Sequence, residues 1–429
     1  MHLPVHTINP QRAEHRPFSR LVVVGGGIAG ITAALALLKR GLQVVVVDEG
    51  IAEKRCSFGN AGSLSPGSVA PLAMPGVLAQ VPGMLLDPKA PLHIRASYIL
   101  QAAPWLWRFV REASPARVQE ISLGLSALLG TSIELYTGLL AEIGGTDLIR
   151  RRGQLQLYAD EHSFRKDQAV WALRRARGVT VEDVNADDIR QLEPSIGKRY
   201  SFGVYLPNEG MITNPAGLVD RLTEVFVRRG GEVINAKVVA FDIGPERPRA
   251  LLTNSGPVTG DAFVIAAGAW STRLTRQIGD DLPLQTQRGY HITVHKPNVE
   301  LSRPVVAADR KYFVTPMDIG LRIAGTVEFD SLDSAPNYAR ARALIANVPE
   351  LLPDLKVGID ESIWMGHRPC MPDSLPVIDR ASRFNNVFYA FGNGHLGLTG
   401  APMTAELIAA LVTGSKPAID ISPFRVSRF

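Results

Sequence analysis

The clearest ordering of apolar and polar positions lies near the start of the chain. Leu21-Val22-Val23-Val24 is an apolar run of β-formers, followed by Gly25-Gly26-Gly27, a stretch rich in Ala, Ile and Leu, and a second apolar run, Val44 to Val47, closed by Asp48. Unbroken β-branched runs read as strands buried on both faces, and the switch to Ala and Leu reads as helix. The expectation is strand, tight turn, helix to about Gly41, strand. No charge falls between Leu21 and Leu38, a length that also suits a membrane span, but the glycines in its middle favour the turn. No other segment is apolar for long enough to span a bilayer. The first twenty residues lack the apolar centre of a signal peptide, and residues 1–18 read as a disordered lead-in. A soluble, cytoplasmic chain is the expectation.

Downstream the pattern is less regular. Cys56 to Pro66 is turn-rich and reads as no regular element, and residues 66–104 hold seven prolines, which suggests an extended passage over a surface. Trp105 to Glu112 and Val118 to Ile143 read as helices, Gln154 to Tyr158 as a strand, and Phe164 to Arg177 as a basic helix with a solvated face, stopped at Gly178. Asn214-Pro215 starts a helix that ends at Gly230-Gly231. Strands are expected at Glu232 to Ala240, Ala250 to Asn254 and Asp261 to Gly268, then at Tyr290 to Val294, Lys311 to Thr315 and Leu321 to Val327. Val387 to Phe391 is a strand, Gly392 to Gly397 a glycine-rich turn, and Thr399 to Val412 a helix. The fold class is α/β with two domains: a discontinuous Rossmann-like nucleotide domain over 19–66, 204–282 and 361–429, and a mixed-sheet substrate domain over 67–203 and 283–360.

Spacing gives the opening pattern its chemistry. Gly25-x-Gly27-x-x-Gly30 lies between strand and helix: Gly25 permits the turn, Gly27 the approach of a pyrophosphate, and Gly30 close packing of helix on strand. The phosphates would meet the helix N-terminus around Ile28 and Ala29. Asp48, with Glu49 beside it, stands where the fingerprint places its ribose-binding acid. This much says dinucleotide, with NAD and FAD both open; a glycine turn without a ligand is the plain alternative. Gly394-His395-Leu396-Gly397-Leu398-Thr399 repeats the logic far along the chain, and the strand to Ala267-Gly268 ends in small residues as a close ligand requires. A nicotinamide enzyme has no need of a second such helix start. A flavin enzyme does, because negative charge develops along N1–C2=O of the reduced ring.

Composition narrows the classes further. The chain has 429 residues, a net charge of +5 with both signs interleaved, and two cysteines. That balance does not call for nucleic acid, though it suits an anionic substrate or loose attraction to an anionic membrane. Two cysteines make no disulfide framework, and no His, Cys, Asp or Glu set has metal-ligand spacing.

Together with the fingerprint, Ser57-Phe58-Gly59-Asn60-Ala61-Gly62-x-x-Ser65-Pro66-Gly67, Ile265-Ala266-Ala267-Gly268-Ala269-Trp270, Arg368-Pro369-x-x-Pro372-Asp373-x-x-Pro376-Val377-Ile378 and Gly394-His395-x-Gly397 carry a family likeness. The chain resembles the FAD-dependent D-amino-acid-oxidase-like (DAO) family, in particular its bacterial D-amino-acid dehydrogenase branch. The resemblance implies that Asn60 to Leu64, including Ala61, Gly62 and Ser63, pass the flavin ring and that Val238 lies beside the adenine. It implies oxidation of an amine carbon by hydride transfer to flavin N5, with electrons passed to a quinone or other carrier. It also implies that Arg368 binds the substrate carboxylate through its two-pronged guanidinium. Arg288, Tyr290, His291 and Tyr312 are candidates to line the pocket, with no obligatory acid or base among them. Cys370 lies three residues before Asp373, closer than a covalent flavin linkage of this fold would place it, so FAD is expected to bind non-covalently. The wording Gly397-Leu398-Thr399-Gly400-Ala401-Pro402 departs from the family's commoner one, which leaves the substrate open between a D-amino acid and a D-proline-type amine such as hydroxy-D-proline. Oxygen as acceptor and a flavin subunit that only carries electrons are the alternative readings. The proline-rich apolar segment 66–107 either touches a membrane surface or is buried within the protein.

Overall fold

Arg20–Val24 is the inner strand of a six-stranded sheet, with Gln43–Asp48 parallel on one side and Ala262–Ile265 parallel on the other. Glu232–Asn235 extends the first side and Val387–Phe391 the second, both parallel, and Val377–Arg380 closes the sheet antiparallel. The computed structural model describes residues 18–76, 92–358 and 360–429. The expected lead-in lies outside these except for Phe18, which packs edge-on against Phe388, and part of the expected passage over 66–104 lies outside them too.

Alternation along the strands feeds two apolar layers. Leu21, Val23, Val44, Val46 and Val264 face a layer built with Ile28–Lys39, Pro115–Leu129, Ser132–Ile143, Pro215–Arg228 and Gly397–Thr413. Val22, Val24, Val45, Val47, Phe263 and Ile265 face the other, which includes Phe241, Leu251 and Val258 of a small antiparallel sheet. Each of these strand side chains is at most 4% exposed, and burial of such a side chain stabilises by roughly 1.5–3 kcal/mol. Charge-free Leu21 to Leu38 is therefore strand, turn and core helix.

The second large sheet has ten strands. At its centre Gln285–Val294 pairs with Gly320–Ala324 and Val327–Phe329 on one side and, over its full length, with Glu361–Cys370 on the other. That last strand was not expected, because E-S-I-W-M-G-H-R-P-C lacks apolar alternation and contains proline. It and Phe202–Leu206 belong to the ten-stranded sheet, on the substrate side of the divisions drawn at 361 and 204.

Three helical expectations shift. Ile99–Arg111 begins six residues before Trp105, with Pro104 inside it; the lost hydrogen bond frees the C=O of Leu100, a residue that is 87% exposed and open to water. The long apolar run to Ile143 breaks at Gly130-Thr131. By length and composition Pro115–Ile143 could cross a membrane; here Ile121, Leu125, Tyr136 and Leu140 pack into the first apolar layer. The basic helix divides at Asp167, and Arg174 leaves its solvated face to lie 4.7 Å over the Trp171 ring. A two-residue strand, Ser63–Leu64, forms inside the turn-rich segment.

Candidate active site

The parallel strands of the six-stranded sheet bring Gly25–Gly27, Asp48, Ala267-Gly268 and Asn393-Gly394 to their carboxyl ends. The chain leaves Arg20–Val24 toward Gln43–Asp48 on one side while Ala262–Ile265 lies on the other, and the crevice at such a reversal is where ligands bind. Gly25 adopts φ 106°, and a Cβ there would lie 2.4 Å from the Ala266 carbonyl oxygen. A Cβ on Gly30 would lie 1.9 Å from the Gly25 oxygen, so the helix can approach the strand only with glycine at both places.

Helix Ile28–Lys39 starts without a side-chain cap from Gly27. Ile28 N–H donates to Ser57 Oγ at 2.8 Å, while among the described residues the N–H groups of Gly27, Ala29 and Gly30 find no acceptor. Asp48 accepts from Gly26 N–H at 2.6 Å on one oxygen and from Gly50 N–H and Arg55 on the other. Burial opposes its charge, and these donors hold its pKa below the usual carboxylate range. It thus pins the turn, and its Oδ2, which accepts from Gly26 N–H alone among the described residues, keeps a lone pair. Glu49 pairs instead with Lys54 at 2.6 Å.

Helix Gly397–Thr413 repeats this arrangement. Its N-cap, Leu396, provides no side-chain acceptor, and among the described residues the N–H groups of Gly397, Leu398 and Thr399 meet none. Thr399 Oγ1 accepts from Ser65 N–H at 3.2 Å, which ties this helix start to the segment after Asn60. Asn393 Nδ2 is buried without a partner. Gly268, at φ 55°, and Gly27 have no protein atom within 3.4 Å of where a Cβ would stand. Two uncapped helix starts, an orphaned amide and open space at the glycines fit an elongated, twice-anionic cofactor, as FAD is.

The segment Asn60 to Leu64 is held from several directions. Asn60 Oδ1 accepts from Gly62 N–H at 2.7 Å, and the Asn60 C=O accepts from Arg322 at 2.6 Å. The Gly62 N–H is therefore already engaged, which leaves that of Ala61 as the one directed elsewhere. Ser63 Oγ bonds Ser65 Oγ and Gln154, and Leu64 is fully buried. Val238, half-buried, opens the strand Val238–Ile243 just after Ala236 N–H bonds the Asp48 carbonyl.

Arg368 sits on the unexpected strand. Its Nη1 donates to the Thr326 carbonyl at 2.9 Å, and among the described residues it has no carboxylate partner. Burial lowers its pKa, and a guanidinium keeps its charge in a protein. The groups around it are neutral. Burial, then Arg322 and Arg368, push His291 well below the usual imidazole value; His395 is exposed to solvent. Burial pushes the Cys56 and Cys370 thiols up to about 12. His291 Nδ1 lies 3.0 Å from the Gly59 carbonyl, so that nitrogen carries the proton and Nε2 accepts, and its ring stacks on Trp364 at 5.1 Å. The Gly394 N–H donates to the Pro369 carbonyl at 2.8 Å, joining the second glycine turn to the Arg368 strand.

Three pocket candidates take structural parts instead. Arg288 is wholly enclosed: its two Nη atoms reach Asp330 and the carbonyls of Ser331, Ser334 and Ala335, while Glu328 lies 3.5 Å away. Tyr290 Oη donates to Glu328 and accepts from Asn337 N–H. Both clamp the loop 330–337. Tyr312 is buried in the apolar core of the ten-stranded sheet, its hydroxyl on the Asn347 carbonyl. Conversely Ser57, Arg55 and Arg322 were missed. For Arg322 the signal was present: one cation inside Gly320-Leu-Arg-Ile-Ala, on the face opposite Leu321 and Ile323.

Comparison with known proteins agrees with this geometry. A D-amino-acid oxidase of Bradyrhizobium diazoefficiens is 38% identical over 95% of this chain and 98% of its own length. D-amino acid dehydrogenase 2 of Mesorhizobium japonicum is 30% identical over 94% and 98%. The fold matches that of glycine oxidase from Geobacillus kaustophilus with a TM-score of 0.75 at 21% identity, covering 96% of this chain and 99% of that one. The model of the FAD dependent oxidoreductase family, DAO, matches residues 20–411, and the chain belongs to that family of FAD-dependent flavoprotein oxidoreductases.

Proposed function

We propose that this chain oxidises the Cα–N bond of a D-amino acid, or of a D-proline-type secondary amine, to the imine that hydrolyses to a 2-oxo acid. FAD, when bound, supplies the hydride acceptor. The residues that hold it are Gly25 to Gly30 and Asp48 at the phosphate and ribose end, and Gly397 to Thr399 at the end where the reduced ring gathers negative charge. Arg368 holds the substrate carboxylate. It is the observation that carries the reading: a partly buried guanidinium without an acid among the described residues, beside the His291 imidazole and the Cys56 and Cys370 thiols, which are neutral at physiological pH. Such a group lowers the free energy of an anion placed against it, and an amino acid presents one a single bond from the carbon to be oxidised. His291 Nε2 is left as an acceptor for the substrate amine. No side chain is required as an obligatory base, since loss of the ammonium proton frees the lone pair that drives hydride departure.

The relatives named dehydrogenases support a quinone or other carrier as electron acceptor. The relative named an oxidase favours a second reading, in which oxygen takes the electrons. One experiment tests both. The purified yellow protein is mixed without oxygen with D-amino acids, including D-proline and hydroxy-D-proline, and its visible spectrum followed. Bleaching by one of them supports the proposal. A flavin that none of them bleaches leaves only an electron-carrying subunit and defeats it. Dye reduction against oxygen uptake then identifies the acceptor.

A further inference from the structure

The two faces of the sheet around Gln285–Val294 treat their arginines differently. On one face Arg288 meets two acids, Glu328 on the paired strand and Asp330 just beyond it. The opposite face carries His291 and Thr293. There Arg368 and Arg322 find no acid within ion-pair distance among the described residues. Arg322 is the more enclosed of the two, 4% exposed, and lies between Thr293 and Thr315 of the adjoining strands. Its Nε is 3.4 Å from Thr293 Oγ1, and Thr315 Oγ1 is buried without a partner. Burial brings its pKa down to about 10, which leaves it charged at physiological pH. An enclosed charge without a counter-charge is costly, and it is useful where negative charge develops during a reaction. Its short contact is with backbone: Nη1 donates to the Asn60 carbonyl at 2.6 Å. That carbonyl and the Ala61 N–H belong to one peptide unit, and among the described residues no acceptor takes the Ala61 N–H. The unit is held on both sides, by His291 on the Gly59 carbonyl and by Asn60 Oδ1 on the Gly62 N–H.

We propose that Arg322 raises the reduction potential of the bound flavin through the Asn60–Ala61 peptide. A cation on the carbonyl oxygen draws electron density along the peptide and makes the N–H at its other end a stronger donor. The positive field of the guanidinium adds to this, with little water nearby to screen it. Hydride transfer from Cα brings two electrons and one proton to the ring and leaves an iminium on the substrate. The neutral ring thereby gains one negative charge, which is lost again when the carrier or oxygen takes the electrons. Both effects of Arg322 favour the reduced, anionic ring over the oxidised, neutral one. Arg322 acts through Asn60 and is a positioning residue. This role rests on the Asn60 segment passing the flavin ring, as the family likeness implies, and needs no particular amine as substrate.

The test is the two-electron reduction potential of the full-length FAD-loaded protein, measured by equilibration with a reference dye without oxygen. R322M and R322Q are expected to shift the ratio of reduced to oxidised flavin at least tenfold toward oxidised at a given dye poise, a fall of about 30 mV or more. R322K keeps the charge and is expected to stay within threefold of the wild type. R322Q keeps a donor for the Asn60 carbonyl without the charge, so it separates charge from scaffolding. A non-reacting carboxylate, titrated by the flavin spectrum, is expected to bind all four proteins within threefold. Potentials of R322M and R322Q equal to that of the wild type would overturn the proposal. So would an R322K potential as low as that of R322M, or loss of FAD from both R322M and R322Q, each of which assigns Arg322 to holding the segment in place. A carboxylate affinity that falls along with the potential would move Arg322 into the substrate site and overturn it too. The measurement needs no substrate, so a flavin that no amine bleaches defeats the proposed function and leaves this outcome readable.

Discussion

The guanidinium of Arg368 occupies the space that a side chain at Gly289 would fill: a Cβ there would lie 2.2 Å from Arg368 Cζ and Nη2. The two residues sit on paired strands, Gly289 opposite Gly366 and Arg368 opposite Gln287, so the glycine makes a slot across the ladder. G289A is expected to displace the guanidinium and raise the Kd of a carboxylate ligand at least tenfold, with an unaltered flavin spectrum. R368A is expected to cost about 2–5 kcal/mol of the same affinity, as for one half of an enclosed charge pair. Spectral titration of both variants with substrate or a non-reacting carboxylate checks this. Unchanged affinity in both would remove Arg368 from the site.

The slot shows where reading the sequence stops. Gly25, Gly27, Gly30 and Asp48 were legible because a strand, a turn and a helix start are set by neighbours a few residues apart. The uncapped helix at Gly397 was legible for the same reason. Arg368 became a candidate only through family likeness, because its isolation from acids depends on the pairing of 285–294 with 361–370. Arg288 and Tyr290 show the opposite failure. A polar residue on an apolar strand looks the same whether its partner is a ligand or a loop, and here the partner is the loop 330–337. Arg322 lies between the two: its lone charge was visible, but its partner, the Asn60 carbonyl, is 262 positions away.

Gly25→Ala tests the phosphate end. Its φ of 106° is strained for any side chain, and the Ala266 carbonyl blocks the added methyl at 2.4 Å. Either the turn opens or the strand pairing with Ala262–Ile265 shifts. The expected result is a loss of about 1–3 kcal/mol in stability, with much reduced FAD content after purification. Thermal unfolding and the ratio of flavin to protein absorbance measure the two effects.

Asp373 lies in the turn after the Arg368 strand, only 1% exposed, with Arg428 Nε 2.6 Å from Oδ2. Arg428 also donates to the Leu375 carbonyl at 2.7 Å, so one side chain braces both ends of the turn. Removing it strands a buried carboxylate, which costs about 3–5 kcal/mol. R428M is expected to lower the denaturation midpoint accordingly, while D373N/R428M recovers a large part because no charge is then left unpaired. A double-mutant cycle on unfolding free energy tests this, and additivity of the single changes would refute the coupling.

Glu209 makes stability depend on pH in an uncommon direction. One carboxyl oxygen accepts from Gly67 N–H at 2.9 Å and the other is buried without a partner. Burial pushes its pKa from the usual 4.5 up to about 7, although Arg174 and the hydrogen bonds pull the other way. Between those two values the folded protein keeps a proton that the unfolded chain releases. Stability attributable to this group therefore falls as pH rises from about 4.5 to about 7, and stays lower above that. The shift corresponds to about 3 kcal/mol at its full extent. E209Q cannot ionise, and its carbonyl oxygen can still accept from Gly67. It is expected to match the wild type below the window and to exceed it in stability above, which unfolding in denaturant across the pH range resolves. A wild type and variant that run parallel through the whole range would show that Arg174 holds Glu209 charged throughout.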